Sequence, residues 1–180
     1  MKAIKYLAVI CIMVINHTFA STAVNLVSTR VIDDRVEMLV PSNFQIMSED
    51  VLKLKYPSEQ RPTKVYTNEA GSVNLAFRLT DSAIPHGDIS KGLPVLNTMF
   101  SHLYPSAHWL DSQVLSINNR QFGKFELITP AVDTQFYNLM FVCELDGRML
   151  LFTFNCPKNQ MKDWRPSAYK IMKSVRISNS

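Results

Sequence analysis

The sequence of 180 residues holds only five glycines, three cysteines and four histidines, and each scarcity removes a class of function. The glycines nowhere cluster, so there is no loop of bare backbone amides to cradle a phosphate. No Gly-x-Ser-x-Gly turn exists to expose a nucleophilic serine. Beyond residue 23 the histidines are His86, His102 and His108. His102 and His108 are separated by Pro105 and are not at the i, i+4 spacing that places two imidazoles on one helical face. His86 falls in a loop near Asp88. No metal and no cofactor is expected. Paired carboxylates offer little more: Asp33–Asp34 and Glu49–Asp50 lie near element ends, where caps and solvated charges belong. Glu126 and Glu144 lie on different strands, and their faces cannot be paired from sequence.

Long hydrophobic runs are scarce too. The one unbroken run, Tyr6–Ile15, follows Lys2 and Lys5 and is broken by Asn16, His17 and Thr18; small residues come next at Ala20, Ser21 and Ala23. This is the order of a secretory signal peptide over residues 1–23, cut after Ala20 or Ala23. A spanning helix needs about 20 apolar residues, so the run is too short for an anchor, and no stable membrane attachment is expected after cleavage. Cys11 sits inside the run behind Ile10, the wrong place for lipidation. The expected destination is the periplasm, or secretion beyond it. Removing Lys2 and Lys5 takes 19 basic residues to 17 against 15 acidic ones, a net +2 that is no nucleic-acid footprint.

The whole chain is 47% hydrophobic and 19% charged, so what remains, residues 24–180, can bury a core as one domain without metal or disulfides. Val36, Met38 and Val40 alternate with polar neighbours and predict a strand ending at Pro41. Ser48, followed by Glu49 and Asp50, predicts the cap of a short helix to about Lys55. Lys64–Thr67 and Ser72–Leu79 flank a turn closed by Gly71. Ile89, Leu93, Leu96, Phe100 and Leu103 recur at helical spacing, with Pro94 placing the regular start near Leu93. Gln113–Ile117 and Phe122–Thr129 read as strands around a four-residue turn, Asn118–Gln121. Gln135–Leu145 and Arg148–Asn155 flank Asp146-Gly147, a pair suited to a type I′ turn. Pro157–Lys173 reads as a final helix, kinked or late-starting because of Pro166.

The two-residue turn sets a register in which Leu145 faces Arg148, Cys143 faces Leu150, Phe141 faces Phe152 and Tyr137 faces Cys156. Cys143 and Cys156 are then roughly 20 Å apart along the ladder. A disulfide needs Cα atoms within about 7 Å, so two free, buried thiols are predicted. Tyr137, Leu139, Phe141, Leu145, Leu150, Phe152 and Phe154 share this face, and both long helices are expected to cover it. The opposite face is half apolar and implies a thinner cover or a binding surface. The fold class expected is α+β: a central antiparallel sheet of about six or seven strands with helices packed on it.

The order strand, short helix, hairpin, long helix, antiparallel strands, terminal helix resembles the Mog1/PsbP-like fold, including the exported bacterial DcrB-like domains. The resemblance rests on Val36–Pro41 with Phe44, the Gly123 and Phe125 region, the Asp146-Gly147 hairpin and Ile171-Met172-Lys173-Ser174-Val175, and spans about residues 36–177. It implies a non-enzymatic module that binds proteins or assists assembly, with no catalytic signature to transfer. Tyr56, Tyr104 and Trp109 stand beside prolines or at element ends and, with Arg61, suit a protein interface. The expected partner is another envelope protein or one delivered into the envelope. An immunity protein that neutralises a periplasm-delivered toxin fits the same features. An envelope hydrolase with a scattered site, or a carrier of a small apolar ligand, is the alternative from another class.

Overall fold

A computed structural model describes residues 24–85 and 88–178; the predicted leader, His86 and the chain end lie outside the described residues. In chain order the elements are β1 (Leu26–Val31), β2 (Val36–Pro41), β3 (Gln45–Ile46), α1 (Glu49–Lys55), β4 (Lys64–Thr67), β5 (Asn74–Leu79), α2 (Ile89–Leu103), β6 (His108–Ile117), β7 (Arg120–Pro130), β8 (Gln135–Leu145), β9 (Arg148–Pro157), α3 (Met161–Ser174) and β10 (Arg176–Ile177). Seven strands form an antiparallel sheet in the order β3-β4-β5-β9-β8-β7-β6, and β1-β2-β10 form a second, smaller sheet. The sequence had pointed to the larger sheet alone.

The β8–β9 hairpin has the expected register, with Leu145 opposite Arg148, Cys143 opposite Leu150, Phe141 opposite Phe152 and Tyr137 opposite Cys156. Asp146 (φ 54°) and Gly147 (φ 73°) adopt the left-handed conformations that a type I′ turn demands. Cys143 and Cys156 are free and fully buried, and burial pushes both thiols up to about 12. The β6–β7 turn is tighter than expected. Asn118 and Asn119 both take positive φ, as asparagine tolerates, so Ile117 pairs directly with Arg120. β6 also begins earlier, at His108, with a bulge between Trp109 and Asp111.

The inner face of the large sheet carries Tyr137, Leu139, Phe141, Phe152 and Phe154, which share one core with the α3 residues Ala168, Ile171 and Met172. Val31, Val36, Met38 and Val40 of the small sheet close the rest of that core. Phe141 stacks on Phe152 at 4.6 Å between ring centroids, and Phe77 meets Phe152 edge-on at 5.7 Å. The expectation that both long helices cover this face is corrected: α2 lies on the opposite, outer face. There Leu96 and Phe100 pack on Phe125, Leu127, Met140 and Val142. The register places an apolar strip on this face, with Met140 opposite Phe125 and Val142 opposite Gly123. Leu52 of α1 covers the other end of the outer face with Met47, Val65 and Ala76.

α2 starts four residues earlier than Pro94 suggested. Asp88 caps it, its Oδ1 accepting from the Lys91 amide at 3.0 Å, and Pro94 is tolerated as the sixth residue. The last helix starts late: residues 158–160 make one 3₁₀ turn, and regular helix runs from Met161 with Pro166 inside it. Among the described residues no helix is long and apolar enough to cross a membrane.

Candidate functional site

Two groups of polar side chains gather on opposite faces of the large sheet. On the inner face, the alternation of β7 turns Phe122, Lys124, Glu126 and Ile128 toward α3, so two charges stand in an otherwise apolar row. Glu126 is fully buried. Its carboxylate accepts from Tyr137 Oη at 2.6 Å and Tyr169 Oη at 2.8 Å, and from Arg165 Nε at 2.7 Å and Nη2 at 3.1 Å. Burial alone would raise its pKa, but the hydrogen bonds from Arg165, Tyr137 and Tyr169, with the Arg165 charge, outweigh that, and the net shift is downward. The Tyr137 phenol moves the other way, held protonated by burial and by its bond to Glu126.

Lys124, only 3% exposed at its side chain, forms an ion pair with Asp111 of β6 and donates to Tyr169 Oη at 3.1 Å. Burial opposes its charge, yet the Asp111 and Tyr169 contacts prevail and hold it protonated; Asp111 is correspondingly lowered by Lys124. The Tyr169 ring is near both cations, its centroid 5.2 Å from Lys124 Nζ and 5.6 Å from the Arg165 guanidinium carbon. Beside this cluster an open concavity of about 770 Å³ runs along the exposed side of α3, lined by Lys158, Met161, Lys162, Arg165, Pro166 and Tyr169.

On the outer face, the register aligns Asn74, Asn155 and Asn138 across three neighbouring strands. Thr67 Oγ1 donates to Asn74 Oδ1 at 2.8 Å, Asn74 Nδ2 to Asn155 Oδ1 at 3.0 Å, and Asn138 Nδ2 to Thr129 Oγ1 at 3.0 Å. This polar band crosses the sheet between the ends of α1 and α2. Tyr56, the C-cap of α1, hydrogen-bonds Asn155 and lies within electrostatic reach of Tyr104, the C-cap of α2. Burial raises both phenols.

Of the four residues singled out from sequence, Tyr56 packs on the α1 cluster and Tyr104 on the α2 cluster of the outer face. Trp109, the second residue of β6, shares the outer face and packs with Tyr104 on the α2 core. Arg61 stands apart, beside α1 and β4 in a separate concavity with Leu52 and Lys64, its Nε donating to Ser58 O at 3.1 Å. His102 is exposed at the end of α2 and His108 at the start of β6. Among the described residues no three His, Cys, Asp or Glu side chains converge as a metal site would require. The inner cluster was missed because the β7–β8 register could not be assigned from sequence. Two signals were present: charges at alternate positions of a strand otherwise rich in Phe, Leu and Ile, and the charge of the last helix.

The backbone is similar to a number of solved structures, among them these two. One is the solution structure of cyanobacterial PsbP (CyanoP) from Synechocystis sp. PCC 6803, with a TM-score of 0.62 at 12% identity, covering 85% of this chain and 92% of that one. The other is LpqN of Mycobacterium tuberculosis, with a TM-score of 0.56 at 11% identity, covering 80% of this chain and 83% of that one. The fold is therefore Mog1/PsbP-like, an α+β sandwich. No protein-family model and no curated protein matches the chain.

Proposed function

We propose that the chain is a non-enzymatic binding or assembly module of the bacterial envelope, exported by a leader over residues 1–23 and acting on a protein partner. The observation that carries this reading is the state of Glu126. A carboxylate has about four acceptor positions, and here four hydrogen bonds meet it. A fully buried base with no open lone pair, held below the ordinary carboxylate range, cannot take a proton from a substrate. The two thiols are buried and kept protonated, so they are poor nucleophiles. The groups most able to do chemistry are spent on holding the scaffold, which leaves its surfaces for recognition. LpqN, which has this fold, is described as involved in cell envelope biogenesis, the setting to which the leader points.

The test is expression of the full chain with a C-terminal tag in a bacterium with two membranes, followed by osmotic release. The released protein should begin after Ala20 or Ala23, recover one partner in fixed stoichiometry, and turn over no ester, amide or glycoside substrate. A cytosolic chain retaining Lys2 and Lys5 would contradict the export reading. Turnover that a single substitution abolishes would contradict the non-enzymatic one.

A further inference from the structure

We infer that the exposed side of α3 is a docking site for an acidic, extended peptide segment of the partner, seated in the concavity beside Lys158, Lys162 and Arg165. This deepens the binding-module reading and rests on it. The first observation is charge. Residues 158–176 hold six basic side chains (Lys158, Lys162, Arg165, Lys170, Lys173 and Arg176) against one acid, Asp163, or +5. Setting Lys2 and Lys5 aside with the leader, the other 11 basic and 14 acidic residues sum to −3. The small overall charge therefore conceals a strongly divided one. All six basic residues are exposed.

The second observation is geometry. Lys158, Lys162, Arg165 and Tyr169 follow one another at three- and four-residue steps, so they line one side of the helix and its leading turn. Arg165 is 47% exposed, yet its Nε and Nη2 are fixed on a carboxylate that is wholly buried. Of the five guanidinium donors, two are used on Glu126 and three are left for a ligand. The pair is neutral as a whole. The attracting field comes from the lysines, while Arg165 contributes directed donors on a head already fixed before binding. Met161, Pro166 and the Tyr169 ring supply an apolar floor between these groups.

A peptide fits these features better than a lipid surface. A helix lying in a bilayer interface buries an apolar side there. The apolar side of α3, with Ala168, Ile171 and Met172, is already buried in the protein, and its exposed side carries no exposed large hydrophobic residue. An extended chain with alternating acidic and apolar side chains can reach both the lysines and the floor of this open concavity.

The experiment uses fluorescence anisotropy with the mature full chain and a labelled dodecapeptide of Glu-Leu-Glu-Tyr repeats. A Lys-Leu-Lys-Tyr peptide, phosphatidylglycerol vesicles and a single-stranded oligonucleotide serve as competitors. The acidic peptide should bind in a salt-sensitive manner, and the K158E/K162E double variant should weaken it by about tenfold. K53E/K64E, the same charge change beside α1, should leave it unchanged. Both pairs are exposed, and an unaltered thermal melt checks the fold. The inference is overturned by absence of binding, by equal weakening in both double variants, or by vesicles or oligonucleotide displacing the peptide at lower concentration. If the peptide fails while the tagged chain still recovers a stoichiometric partner, the α3 site is rejected and the binding-module reading stands. If neither binds, both are rejected.

Discussion

The two faces of the large sheet are made by the same strands, residue by alternate residue, yet they are finished differently. The inner face is sealed by α3 and the small sheet over a continuous aromatic layer, and its two charged residues are drawn into a closed network. The outer face is covered at its two ends by α1 and α2, with an amide band between them. The contrast shows that one alternating pattern can supply stability on one side while leaving polar groups near the surface on the other. It also separates two kinds of buried polarity: ionic on the inner face, neutral on the outer.

The sharpest way to break this comparison is to remove equivalent aromatic rings. Phe152→Ala, which opens the stacked inner layer, should cost about 4 kcal/mol in denaturant unfolding. Phe100→Ala, on a helix that can settle toward the sheet, should cost about 3 kcal/mol. An equal or reversed order would mean that the inner face is not the main core.

Glu126→Ala comes next. Removing one partner of a buried pair leaves the other uncompensated, at about 3–5 kcal/mol; because Arg165 is half-exposed and can rehydrate, the lower end is expected. Its pH dependence has a definite sign. The folded pKa of Glu126 lies below the unfolded one, so its contribution is complete above the unfolded value and is lost as pH falls through the folded value. Stability measured across that acid range should therefore fall less steeply in Glu126→Gln than in the parent.

The outer amide band should respond more weakly. Asn155→Ala removes neutral hydrogen bonds to Asn74 and Tyr56, worth about 1 kcal/mol by the same unfolding measurement. Leu103→Lys, at a residue 62% exposed on α2, should change stability by no more than about 0.5 kcal/mol. A larger loss would place Leu103 in a contact that the monomer does not show.

Local rules made the β8–β9 hairpin legible in detail, because Asp146-Gly147 restricts the turn and the turn restricts every pair after it. The Asn118-Asn119 turn was readable in kind but not in length, since two consecutive asparagines fit a tight or a loose loop equally well. The placement of α2 was not legible: periodicity shows that a helix has an apolar side, not which sheet face receives it. The small sheet escaped notice because β10 has two residues and pairs with β2 from the far end of the chain. Tyr56 and Tyr104 were chosen because they stand beside prolines or at element ends; they cap α1 and α2 and lie within electrostatic reach of each other. The Glu126 cluster needed three non-local facts, the β7 register and the landing points of Arg165 and Tyr169, and no sequence window contains them.

Solvent reaches the inner face only when the molecule unfolds, and Cys143 and Cys156, both fully buried, report on that face from within. The decisive measurement is the rate at which Ellman's reagent labels these thiols in the native protein, compared with the global unfolding rate under the same conditions. The expected result is that Cys143 and Cys156 are both labelled, each no faster than the protein unfolds. Labelling of either in the folded state at the rate of an exposed cysteine, or recovery of no free thiol without reductant, would contradict it.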